Sequence, residues 1–319
     1  MKITVIGCGR WGSLITWYLD RLGHNMTLYG RAESEHMKAF LTTRSNDLLT
    51  LPESVLLSTD LHSVEDAEVI VISIGSQGLR KLLTRELAPL NLQNKTFVLC
   101  MKGIEIETGM RLSEIVKECT HPTSRVAVWL GPGHVQEFYA GIPNCMVIDS
   151  DDASLKAELV NAFSGDLIRF YYGQDLIGNE IGAAAKNVIG IAAGMLDGMQ
   201  LSTLKGALMS RGTREVSRLI EAMGGNPVSA YGLCHLGDYE ATVFSPYSHN
   251  RTFGEAFVKG ESYRDLAEGY YTADALHRLA QTHGVELPIC EAVWRILYCQ
   301  ADVKSEMAGL FQRSLKNEF

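Results

Sequence analysis

The sequence predicts an α/β fold in two parts: an N-terminal doubly wound parallel sheet, then an all-helical C-terminal domain. Three observations lead there. Short apolar runs alternate with helical patterns through residues 1–178. A glycine-rich turn joins the first apolar run to the first helix. From 179 to 319 the periodicity is helical, with no strong strand pattern. Strand–helix alternation implies right-handed crossovers and a parallel sheet. A chain of 319 residues is long for one hydrophobic core, so 1–178 and 179–319 read as two domains. Pro, Gly and Ser do not accumulate at the junction, which predicts packed domains without a floppy linker.

Taken in order, Ile3–Gly7 reads as the first strand, Trp11–Leu22 as an amphipathic helix and Asn25–Gly30 as the second strand. Val69–Ile74 is continuously apolar, the pattern of a strand buried on both faces, and Thr96–Met101 and Val126–Leu130 repeat it. Leu79–Leu87 and Gly109–Cys119 read as helices between these strands. Glu180–Leu196, Lys205–Met223, Tyr263–Gly284 and Glu291–Gln300 carry the helical pattern of the second half.

Composition narrows the partners. A net charge of −8 argues against nucleic acid and means that an anionic ligand must be drawn by a local positive cluster. The seven cysteines are scattered without metal spacing, which points to reduced thiols in a cytoplasm and to no metal site. The chain begins directly on a strand, leaving no room for a signal peptide. Its longest apolar stretch, Ile181 to Leu196, is interrupted by Lys186 and Asn187 and is too short for stable membrane insertion.

Gly7-Cys8-Gly9-Arg10-Trp11-Gly12 fits G-x-G-x-x-G in the required context, after a strand and opening a helix. Such glycines let the backbone turn and approach a pyrophosphate at the positive end of a helix, as in Rossmann-like domains. The second strand ends at Gly30-Arg31 where an NAD enzyme usually has an acidic residue, although Glu33 is close by. Gly30 clears space and Arg31 offers a guanidinium to a 2′-phosphate, which favours NADP(H), with NAD(H) also accepted. A solvated Arg31 is the plainer alternative.

Two lysines stand in unusual places. Lys102 follows a buried-looking strand at the carboxyl end of the sheet, where ligands bind in doubly wound folds. An ordinary loop lysine is equally consistent with that position. Lys186 lies among Gly182, Ala183, Ile189 and Gly190 in a helix of small apolar residues. An ammonium there is costly unless paired or used, and desolvation lowers its pKa toward the range useful for proton transfer. A lysine snorkelling from the helix edge is the alternative. Asn187 would supply a neutral hydrogen-bonding partner beside it. Downstream, Ser248, His249, Asn250 and Arg251 form a donor-rich loop of the kind that holds phosphate, and Gly131-Pro132-Gly133-His134 could bring backbone N–H groups to the same crevice.

Together these segments resemble the NAD(P)-dependent glycerol-3-phosphate dehydrogenases, soluble enzymes that interconvert dihydroxyacetone phosphate and sn-glycerol 3-phosphate. The resemblance runs nearly end to end through Gly7–Gly12, Lys102-Gly103-Ile104, Gly131-Pro132, Gly178–Asn187, Ser210-Arg211-Gly212, Gly237-Asp238, Ser248–Gly254, Glu268-Gly269-Tyr270 and Leu287-Pro288-Ile289. It implies a catalytic lysine at Lys186, a second lysine in the crevice at Lys102, and a carboxylate at Asp238 that orients the lysine, with Thr242 nearby. Substrate contacts are implied for Gly131, Gly133, Asn187, Ser248, His249 and Asn250. Dinucleotide contacts are implied for Gly7, Gly9, Arg10, Trp11, Gly12, Arg31, Lys102, Val135, His249, Leu266 and Glu268. The implied role is the supply of glycerol 3-phosphate for phospholipid synthesis. A homodimer is the default expectation for such an enzyme.

The chain also departs from the family pattern. Gly133 stands where the family has serine, His249 where it has arginine and Gly75 where it has proline, and the family's asparagine is absent around Ser202-Thr203-Leu204. Arg251 is a candidate to compensate at the phosphate clamp. Two other readings remain: a related two-domain reductase of another small hydroxy or keto acid, and a dinucleotide-binding sensor whose eroded site no longer turns over.

Overall fold

Apolar, largely β-branched runs build the sheet in the computed structural model, which describes residues 1–315 and Asn317. The strands are β1 (Lys2–Ile6), β2 (Asn25–Tyr29), β3 (Leu56–Ser58), β4 (Val69–Ile72), β5 (Thr96–Leu99), β6 (Arg125–Leu130), β7 (Asn144–Asp149) and β8 (Ile168–Tyr172). They lie in the order β3-β2-β1-β4-β5-β6-β7-β8. The first six are mutually parallel in the doubly wound order, and the chain reverses direction across the sheet between β1 and β4.

The last two strands differ from the all-parallel expectation. β7 runs antiparallel to β6, and β8 is parallel to β7. The physical reason lies in the link after β6. Its one helix, α5 (Val135–Tyr139), rises about 8 Å, whereas returning to the start of a six-residue strand requires about 20 Å. The chain therefore turns back.

The N-terminal half is completed by α1 (Arg10–Arg21), α2 (Glu35–Thr43), α3 (Leu79–Lys81, continued by a π-turn over Leu82–Leu87), α4 (Leu112–Cys119) and α6 (Ala153–Phe163). One apolar core joins one face of the sheet to α1 and α6, with Ile3, Val5, Leu14, Trp129 and Phe163 at its centre. A second covers the other face through Ile70, Ile72, Leu83, Phe97 and Ile115.

After β8 the chain is helical: α7 (Leu176–Gly198), α8 (Lys205–Ala222), α9 (His249–Lys259), α10 (Glu268–His283), α11 (Pro288–Tyr298) and α12 (Val303–Phe311). The third core is organised on α7, whose side chains are almost wholly buried. Small residues let its neighbours approach backbone to backbone. A Cβ on Gly194 would stand 1.9 Å from the Arg251 carbonyl oxygen, and one on Gly254 of α9 would stand 2.1 Å from that of Ile191.

That packing explains one misreading. Ser248 to Arg251 read as a donor-rich loop in the sequence, yet His249–Lys259 form α9, and Gly254 is what allows the close crossing. The helix expected from Tyr263 starts only at Glu268. A buried ion pair joins α7 to the sheet half: Glu180 accepts from Arg111 Nη1 at 2.6 Å and from Ser113 N and Oγ at 2.9 and 2.6 Å. No helix among the described residues is long and apolar enough to cross a membrane.

Candidate active site

The glycine turn between β1 and α1 sits at the point where the strand order reverses. Gly7 has φ +114°, and a Cβ there would lie 2.1 Å from the Ser73 carbonyl oxygen, just past the neighbouring β4. A Cβ on Gly12 would lie 1.8 Å from Gly7 O, so both positions require glycine. Gly9 differs. It has open space around it and caps α1 without a side-chain hydrogen bond, leaving the positive end of the helix free for a pyrophosphate. The cradle fits a dinucleotide.

Around it, Trp11 packs beside Phe138, and Lys102 Nζ stands 5.9 Å from the centre of the Trp11 ring. Glu268, at the start of α10, accepts from Ser76 N and Oγ at 2.9 and 2.5 Å, just past β4, and burial raises its pKa. Exposed Leu266 lies over Gly75 beside it. Val135 opens α5 with its side chain in the core.

The end of β2 corrects one reading. Gly30 does not clear space for a ligand: a Cβ there would meet Cys8 Sγ at 2.6 Å and Met37 at 3.0 Å, so the glycine makes room for protein packing. Arg31 is 72% exposed and pairs loosely with Glu33 at 3.6 Å.

Deeper in the crevice, three elements meet. Lys102 extends from the loop after β5, Lys186 from the middle of α7, and Asp238 from a tight turn before a π-helical segment, Glu240–Phe244. Asp238 Oδ2 accepts from Lys102 Nζ at 2.6 Å and from Lys186 Nζ at 2.8 Å. Lys102 also donates to Gly131 O at 2.8 Å, and Lys186 to Thr242 Oγ1 at 2.6 Å. Lys186 is 6% exposed and Asp238 1%. Burial lowers the Lys186 pKa to about 8, with Asp238 opposing that shift and Lys102 adding to it. The second oxygen, Asp238 Oδ1, is buried and has no hydrogen-bond partner among the described residues. A buried acceptor left open in this way is suited to a ligand hydroxyl.

A line of amides fixes the walls. Gly269 N donates to Asn250 Oδ1 at 2.8 Å, Asn250 Nδ2 to Asn187 Oδ1 at 3.0 Å, and Asn187 Nδ2 to Lys102 O at 3.0 Å. Asn187 therefore braces the Lys102 loop. It is not the hydrogen-bonding partner of Lys186 that the sequence suggested.

On the phosphate side the sequence reading needs further correction. Ser248 Oγ caps α9 by accepting from Arg251 N at 3.3 Å. Arg251 turns away from the crevice toward Asp197 and Glu255, at 2.8 and 2.9 Å, so it does not compensate at the clamp. The guanidinium in the cleft belongs instead to Arg10, which donates to His249 Nε2 at 2.6 Å, while His249 Nδ1 meets Tyr263 OH at 2.7 Å. Burial first, then Arg10, lowers the His249 pKa. Arg10, His249 and Tyr263 line an open cavity of about 430 Å³ shared with Asn46, Gln136 and Tyr247.

Gly133 has φ +134°, and a Cβ there would strike the Phe138 ring at 2.3 Å, which accounts for glycine at that position. The adjoining His134 is neutral, its pKa pushed down to about 4 by burial and by Lys186. Its Nε2 lacks a partner among the described residues. Sequence reasoning missed Tyr263, Ser76 and His235, which carry no motif and take their roles from contacts distant in the chain.

A dinucleotide cradle facing a shared lysine–carboxylate centre is the arrangement of a nicotinamide-dependent oxidoreductase, and the relatives agree. The family model described as NAD-dependent glycerol-3-phosphate dehydrogenase N-terminus matches residues 2–156, and the C-terminus model matches residues 175–308. Proteins named glycerol-3-phosphate dehydrogenase [NAD(P)+] are similar over the whole chain. The one from an Exiguobacterium species is 35% identical, covering 99% of this chain and 97% of its own. That of Halorhodospira halophila is 36% identical, covering 99% and 98%. The crystal structure of the Coxiella burnetii glycerol-3-phosphate dehydrogenase superposes with a TM-score of 0.91 at 30% identity, covering 98% of this chain and 99% of that one. On sequence and architecture alike, this chain belongs to the NAD-dependent glycerol-3-phosphate dehydrogenase family.

Proposed function

We propose that the enzyme interconverts dihydroxyacetone phosphate and sn-glycerol 3-phosphate, using Lys186 as the proton donor and acceptor. The observation that carries this reading is the single oxygen of Asp238 shared by two lysines, with the other oxygen left open. A nicotinamide dinucleotide held on the Gly7–Gly12 turn would supply or accept the hydride at C2. Lys186, an ammonium at neutral pH, donates its proton to the oxygen developing on C2 and takes it back in the reverse direction. Lys102 adds positive charge beside that oxygen. Asp238 holds both amines and accepts from a substrate hydroxyl through Oδ1. Thr242 fixes the second hydrogen bond of Lys186. The amide line through Asn187 and Asn250 keeps the Lys102 loop against α7, so that the ketone lies within reach. The substrate phosphate lies at the first turn of α9, beside Ser248 and Asn250, where His249 meets the Arg10 guanidinium.

For the cofactor, the reading is NADP(H) in preference to NAD(H), with the exposed Arg31 swinging from Glu33 to a 2′-phosphate. The free state of all seven cysteines suits a cytoplasmic enzyme, which we read as a homodimer divided near residue 178 and supplying glycerol 3-phosphate for phospholipid synthesis. The test is a steady-state assay of dihydroxyacetone phosphate reduction with NADPH and NADH side by side. Turnover with NADPH favoured supports the reading. Turnover of another small keto acid alone would replace it.

A further inference from the structure

His235 and Tyr239 flank Asp238 in sequence, and both side chains are 0% exposed. A fully buried imidazole three residues from the reaction centre is unused by the mechanism above. Its hydrogen bonds define its state. The Gly182 carbonyl can only accept, so His235 Nδ1 carries the proton and donates to it at 2.8 Å. Nε2 then accepts from the Tyr239 hydroxyl at 2.7 Å. Gly182 lies one turn before Lys186 on α7, and a Cβ there would press on His235 Cβ at 3.0 Å. The Tyr239 hydroxyl reaches α8, where a Cβ on Gly212 would stand 3.3 Å from it. The pair thus ties the Asp238 turn to α7, which carries Lys186, and it opens the π-helical segment that carries Thr242.

We infer that His235 and Tyr239 are positioning residues for the reaction: their hydrogen-bonded link from the Gly182 carbonyl to the Tyr239 hydroxyl holds Asp238 Oδ2 against Lys186. The inference rests on the proton-transfer role proposed for Lys186. When the link is cut, Asp238 Oδ2 shifts off the Lys186 amine and the ammonium loses its counter-charge, while Oδ1 stays within reach of the substrate hydroxyl. The other titratable groups acting on Lys186 are Lys102, His134, Cys234 and His235 itself, and burial keeps both histidines and the thiol neutral. The alkaline limb of ketone reduction therefore moves to lower pH while substrate binding holds.

The test compares Tyr239→Phe, which removes one hydroxyl, with His235→Asn, which can keep the donor to Gly182 O, and His235→Leu, which cannot. Each is assayed for kcat, KM and the pH profile of ketone reduction. In Tyr239→Phe, kcat should fall by about 5- to 20-fold with KM within about twofold, and the limb should shift down by roughly half a unit or more. His235→Asn should retain more activity than His235→Leu. A Tyr239→Phe enzyme with a lowered melting temperature but unchanged kcat and pH limb would overturn the positioning role. Lys186→Ala, assayed in parallel, separates the two ideas: normal turnover there overturns the proton-transfer reading beneath both, whereas lost turnover there with a normal Tyr239→Phe overturns only the positioning role.

Discussion

Lys102 and Lys186 place their amines on the same carboxylate oxygen, Asp238 Oδ2, at 2.6 and 2.8 Å. One anion facing two cations leaves a net positive centre in a largely buried crevice. Such a centre stabilises negative charge developing on a substrate oxygen, and it keeps the buried Lys186 close to the pKa at which a proton moves either way.

The pH dependence follows with a definite sign. Ketone reduction needs the ammonium, so its kcat should be flat below and fall above a pKa near 8; alcohol oxidation needs the free amine and should rise through the same value. Steady-state profiles in both directions check this. Parallel limbs in the two directions would contradict it.

Replacing Asp238 by Asn removes the group that holds the Lys186 pKa up. The reduction limb should move to lower pH, and kcat should fall at neutral pH. Because buried Lys186 and half-buried Lys102 then lose their shared anion, stability should drop by about 3–5 kcal/mol, measurable by denaturant titration.

Arg31→Ala tests cofactor choice. Loss of a charge-assisted hydrogen bond to a 2′-phosphate should raise the KM for NADPH by about 10- to 100-fold and leave that for NADH nearly unchanged. Equal effects on both cofactors would remove Arg31 from that role.

Gly194→Ala probes the α7–α9 crossing. Its Cβ would meet a backbone oxygen at 1.9 Å, a contact relieved only by moving helices. Stability should fall by about 1–3 kcal/mol or more. Activity should fall with it, because Asn250 loses its register on Asn187. A calorimetric scan and a KM measurement suffice.

Much of this was legible in the sequence, for physical reasons that differ by residue. The glycine fingerprint is readable because each glycine answers a local steric demand. Lys186 is readable because a charge among alanines and glycines violates helix patterning. Short β3, β7 and β8 were missed: β3 has only three residues, and β8 alternates buried and exposed positions at the sheet edge. The direction of β7 depends on a crossover too short to return the chain, which strand propensity does not encode. The role of Arg251 was misassigned because its side chain is drawn to Asp197 on α7, remote in sequence. Residue type alone marks two guanidiniums, Arg10 and Arg251. Only packing says which one enters the cleft.

The most direct test of the central claim is the kcat of Lys186→Ala for dihydroxyacetone phosphate reduction at neutral pH, with dinucleotide affinity measured on the same sample. A loss of about 10²- to 10⁴-fold with cofactor binding retained is the expected result. Turnover near that of the unmodified enzyme would contradict the assignment of proton transfer to Lys186.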